Sequence, residues 1–224
     1  MRRFATLNAL GLGFGALFVA TLCAQAVAGW HSFNDEQVAA QAGTVGLGGY
    51  IASTDFAVAV AENWQSEFLQ FLLYLVATVW LLQQGSPESK QLGNAGLESD
   101  ADQMVGEYAG PDSPAWARAG GWRRTVYGTS LALVMGAIFL CSWLVQSVAG
   151  WAAYDEQRLQ DLRDPISWPA YLVSGDFWER TLQNWQSEFL AVGAMAVLSI
   201  YLRQRGSSQS KPMGAAHAAT GIEG

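Results

Sequence analysis

A shift of 121 residues lays the second half of this chain on the first. The run Asn63, Trp64, Gln65, Ser66, Glu67, Phe68, Leu69 recurs unchanged from Asn184 to Leu190. Gln25, Val27, Ala28, Gly29 and Trp30 meet Gln146, Val148, Ala149, Gly150 and Trp151 in the same register. Tyr50, Ser53, Asp55 and Phe56 meet Tyr171, Ser174, Asp176 and Phe177, and Gly85, Ser86, Ser89 and Lys90 meet Gly206, Ser207, Ser210 and Lys211. Even the basic pair Arg2 and Arg3 returns as Arg123 and Arg124. So many matches at one offset are not an accident of composition. The chain must fold as two copies of one unit.

What that unit is follows from its apolar runs. Residues 4–27, 68–82, 125–150 and 189–202 contain no charged side chain, in a chain that is 51% hydrophobic and 14% charged. Runs of this length and purity match the hydrocarbon core of a bilayer rather than the interior of a soluble domain. Each copy therefore reads as a basic pair, a long apolar helix, a polar stretch, a second apolar helix and a Gly-Ser-rich exit ending in Lys. Two such hairpins predict an all-α polytopic membrane protein with four transmembrane helices. Each copy crosses an even number of times, so both share one orientation about a parallel pseudo-two-fold axis. The divisions expected are a first membrane hairpin over 1–90, a flexible acidic linker over 91–121, a second hairpin over 122–211 and a disordered tail over 212–224.

The basic residues orient the spans. Arg2, Arg3, Lys90, Arg118, Arg123, Arg124, Arg203, Arg205 and Lys211 fall on one side, and Arg158, Arg163 and Arg180 on the other. Both termini are predicted cytoplasmic. The first run also has the make-up of a secretory signal, with Ala24, Gln25 and Ala26 near a cleavage position. Its duplicate after Arg124 lies mid-chain and cannot be a signal, so the first helix is expected to be retained. Leu22 before Cys23 argues against a lipoprotein site, and Cys23 and Cys141 both read as small packing residues. A formal net charge of -7 excludes a nucleic-acid surface.

Chemistry is sparse. Asp55 and Asp176 read as helix caps, with Glu179 completing a capping box in the second copy. Only fourteen residues separate Glu188 from Arg203, too few to span, so either Trp185 to Leu202 is immersed with Arg203 snorkelling or the bilayer thins locally, and Trp64 and Trp185 suit the interfacial belt. That places Glu67 and Glu188 at the outer edge of the hydrocarbon, with Gln25 and Gln146 at comparable depth. Asn63 lies one turn from Glu67, and Asn184 one turn from Glu188, on shared faces. These six side chains form a candidate polar cluster with two readings. The favoured one is packing and rim solvation; the other is a cation, proton or polar-ligand site.

Gly11 and Gly15 form a small-residue face for close helix approach, within the bundle or toward a second copy or another membrane protein. His31 and His217 stand alone and read as solvated. No catalytic, metal or phosphate-binding signature is present, so no enzyme activity and no cofactor are expected. The bilayer is the one partner the residues require.

The twin Asn-Trp-Gln-Ser-Glu-Phe-Leu runs, the Gly-Trp endings at Gly29 and Gly150 and the Gly-Ser-x-x-Ser-Lys exits resemble a bacterial family of uncharacterised four-helix membrane proteins, catalogued as a domain of unknown function. The resemblance covers nearly the whole chain. It implies an integral protein of a bacterial cytoplasmic membrane and brings no reaction, ligand or catalytic residue. A structural or accessory role ranks first on these grounds, a small transporter or channel second and a membrane enzyme last.

Overall fold

The computed structural model describes residues 2–222, and among them every regular element is helical. In chain order these are α1 (Arg2–Leu7), α2 (Ala9–Ala39), α3 (Leu47–Ile51), α4 (Thr54–Trp80), α5 (Ala115–Arg118), α6 (Trp122–Gly128), α7 (Ser130–Gln160), α8 (Trp168–Leu172) and α9 (Gly175–Tyr201). A 3-10 turn at Gly106–Tyr108 precedes α5. The chain's six prolines all lie outside the four long helices α2, α4, α7 and α9, where each would remove a backbone donor. The 121-residue offset persists in the backbone. Asn8 interrupts the helix between α1 and α2 at φ -117°, and Thr129 does the same between α6 and α7 at φ -112°.

Among the described residues, two helices are long and apolar enough to cross a membrane, α2 and α7, each of 31 residues. The helices α4 and α9 are 27 residues long but fail that test, because the repeated polar motif occupies part of each. At 1.5 Å per residue they still reach about 40 Å, longer than a hydrocarbon core of about 30 Å.

Contacts divide the chain into two compact units. The first comprises Met1–Ala61 and Leu144–Phe177. Its organising contacts occur twice. The Trp30 indole donates to the Val45 carbonyl at 2.7 Å, as Trp151 does to Ile166 at 2.7 Å. Asn34 accepts from the Val45 amide at 2.8 Å, and Asp155 accepts from Ile166 at 2.9 Å. Each loop is thereby tied to the helix preceding it.

Tyr50 then lies against Gly29, flanked by the rings of Phe33 and Phe56 with centroids 5.5 and 5.6 Å away. Tyr171 lies against Gly150, flanked by Tyr154 at 5.4 Å and Phe177 at 5.6 Å. Both tyrosines are buried. Burial, with Asp55 and Glu36 nearby, holds the Tyr50 phenol above its ordinary range, so it stays a neutral hydroxyl.

The helix starts correct the expected caps. Ser53 Oγ accepts from the Phe56 amide and Ser174 Oγ from the Phe177 amide, both at 3.3 Å. Asp55 and Asp176 sit inside the first turn instead, where a carboxylate complements the helix dipole. Asp176 also accepts the Tyr171 hydroxyl at 3.0 Å. Serine takes the cap because the helix begins one residue after it, and its short side chain reaches the amide three positions on.

The second unit comprises Glu62–Trp143 and Trp178–Gly224. Here a Cβ on Gly136 would sit 3.6 Å from the Leu72 side chain, so this glycine is in van der Waals contact with a neighbour. Among the described residues, nothing beyond the helix's own backbone and the adjoining residues lies within 4 Å of a Cβ built on Gly11, Gly13 or Gly15.

The exits, read from sequence as coil, are knit by side chains. Gly85 and Gly206 turn the chain at φ +87° and +82°. Ser89 Oγ accepts from the Gln83 amide and Ser210 Oγ from the Gln204 amide, both at 2.9 Å. Lys90 donates to the Gly96 carbonyl and Lys211 to the His217 carbonyl, both at 2.8 Å. Farther along, Arg124 pairs with Asp100 at 3.0 Å. In the tail, His217 Nδ1 lies 3.0 Å from the Ile200 carbonyl, and the Arg203 guanidinium donates to Ala215 at 3.1 Å. Residues 223 and 224 of the expected tail lie outside the described residues.

Candidate functional site

The repeated motif falls on α4 and α9, and the structure treats its two copies differently. Gln65 and Ser66 are buried, whereas their equivalents Gln186 and Ser187 are exposed. Identical residues thus do different work. Gln65 Oε1 accepts the Trp185 indole at 2.7 Å, so the first copy binds the second through an amide and a ring nitrogen. Trp185 belongs to an aromatic group in the same unit. Trp143 lies 5.9 Å from it and 6.3 Å from Trp178, and stacks on Phe139 at 5.6 Å. Edge and tilted geometries of this kind add directional attraction to apolar contact.

The two acids come together. Glu188 lies within electrostatic reach of Glu67, with the Ser66 hydroxyl beside it. Glu67 is exposed and Glu188 half-buried. Asn63 and Asn184 act locally: each backbone carbonyl accepts the hydroxyl three residues on, from Ser66 at 3.0 Å and from Ser187 at 2.8 Å. The Asn184 amide donates to the Arg180 carbonyl at 2.8 Å. One turn earlier, Arg180 pairs with Glu62 at 3.1 Å. Gln25 and Gln146, the remaining members of the expected cluster, belong to the other unit, where Gln146 is buried and Gln25 half-buried.

Two carboxylates and a serine hydroxyl can hold a proton or share a cation's coordination. Among the described residues, no three His, Cys, Asp or Glu side chains converge as metal ligands. The Nε2 of buried Gln65 has no hydrogen-bond acceptor among them. Sequence reading named the acids but not Gln65, Ser66, Glu62 or Arg180. The signal for the first two was present, since both sit inside the unchanged run.

One family model matches this chain, over residues 1–222, and its description is Domain of unknown function (DUF6766). No curated protein and no solved structure matches it.

Proposed function

The chain belongs to that family of unknown function, and we propose that it is an integral protein of a bacterial cytoplasmic membrane with a structural or accessory role. The observation behind this reading is the surface of α2. Leu10, Phe14 and Leu17 are 76, 67 and 62% exposed along a helix that carries no charged side chain over residues 9–30. In water such a surface would drive aggregation, whereas lipid tails solvate it at no cost.

The reading includes four spans, α4 and α9 crossing the membrane as well as α2 and α7, with both termini cytoplasmic. The polar motif then lies at the outer rim and needs fewer apolar residues around it. No catalytic step is assigned. The Gly11 and Gly15 face, clear of neighbours, is the place for a second copy or another membrane helix. Subunit counting in native lipid tests this. Gly11→Ile with Gly15→Ile should lower the stoichiometry of the wild-type assembly, and an unchanged count removes that face from the proposal.

A second reading, a small transporter or channel with a cation site, is favoured by one observation, the approach of Glu67 and Glu188 beside Ser66. Thermal melting of the purified protein across mono- and divalent chlorides separates the two. A bound ion stabilises by RT ln(1 + [L]/Kd), and Glu67→Gln with Glu188→Gln should abolish that gain. Equal ion responses in both proteins leave only the structural role.

A further inference from the structure

We infer that residues 212–222 form a strap, and that the Lys211 side chain is the catch fastening it across the exit of the first repeat. Lys211 is 2% exposed, and its Nζ donates to four backbone carbonyls. These are Gly85 at 2.6 Å, His217 at 2.8 Å, Ala219 at 3.2 Å and Ala216 at 3.3 Å. An ammonium has three N–H groups, so one bond is shared. Among the described residues no carboxylate pairs with it. Burial pushes this amine below the ordinary lysine range, with Arg203 adding repulsion, so the carbonyls are what make the position tenable for a cation. Three of the four belong to the tail.

The first copy is built otherwise. Lys90 is a quarter exposed, pairs with Glu98 at 3.0 Å and takes the single carbonyl of Gly96. It closes its own loop, whereas Lys211 closes the second exit onto the first. Two further bonds follow that path. The Gly85 amide donates to Thr220 Oγ1 at 2.9 Å, and the Gly221 amide donates to the Ser86 carbonyl at 3.0 Å.

Gly85 is left-handed, and a Cβ there would lie 2.5 Å from the His217 carbonyl, so its lack of a side chain admits the strap. Gly221 also forms part of the wall of an open cleft of about 790 Å³ with Glu88, Lys90, Asn94, Glu98 and Asp102. Release of the strap would expose the Gly85 and Ser86 backbone groups and widen that cleft. The fold thus holds a two-state element at the end of its chain, with the charged amine deciding the state.

Hydrogen exchange of the full-length protein in nanodiscs, read by mass spectrometry, tests this against Lys211→Met and against a chain ending after Met213. Both should speed exchange over 83–91 by about tenfold or more, the scale of one charge-assisted hydrogen bond, while 54–80 keeps its protection. In Lys211→Met, 212–222 should accelerate in parallel. Unchanged protection of 83–91 in either variant overturns the strap. A truncated chain that loses protection throughout α4 also overturns it, because a strap can be removed without unfolding what it fastens.

Discussion

At the scale of single residues the fold turns on glycines that admit a larger neighbour. A Cβ on Gly150 would lie 2.6 Å from the Tyr171 hydroxyl and 3.3 Å from Val58, and Tyr171, only 1% exposed, has nowhere to move. Gly150→Ala should therefore cost about 1–3 kcal/mol, the usual range for overpacking. Adding Tyr171→Phe removes the clashing oxygen along with its bond to Asp176. The double variant should then be more stable than the sum of the two single losses, a coupling that denaturation of all four proteins would measure. Additive losses would show that the ring and the glycine do not meet. Gly13→Ala, with nothing near it, should instead be neutral or gain up to about 1 kcal/mol of helix propensity in a melting experiment. Both glycine classes look alike in sequence. What distinguishes them is whether an aromatic ring returns to the helix, and only the folded loop shows that.

Among elements, the two interhelix loops of the first unit make the sharpest comparison, because one atom separates their anchors. Asn34 accepts from the Val45 amide and also donates to the Val45 carbonyl at 3.0 Å, whereas Asp155 accepts from Ile166 and has no amide to donate. Asn34→Asp should thus destabilise by about 0.5–1.5 kcal/mol, the net worth of one hydrogen bond. Asp155→Asn can add the missing bond and should be neutral or stabilising by a similar amount. Thermal melts of both proteins check the pair, and equal signs would contradict it. The long helices were legible in sequence because apolar runs without proline leave the backbone little alternative. The exits were not, since Gly, Ser and Pro read as coil, while their structure rests on the bonds of Ser89, Ser210, Lys90 and Lys211. The candidate site was half legible. The offset paired Glu67 with Glu188, but no repeat can foretell that Gln65 is buried and Gln186 exposed, because identical letters carry no record of which copy faces a neighbour.

For the whole molecule, the proposed four-span topology requires α4 and α9 to cross the membrane although their composition alone falls short. If four helices span, the loops after α2 and after α7 lie on one side. If only α2 and α7 span, those loops lie on opposite sides. Cys23 and Cys141 can first be replaced by serine, and single cysteines then placed at the exposed positions Thr44, Asn94, Asp161 and Ser208. Labelling of intact cells with a membrane-impermeant maleimide should modify the cysteines at 44 and 161 alike, and those at 94 and 208 only after lysis. Labelling at 44 without labelling at 161 would contradict the four-span account.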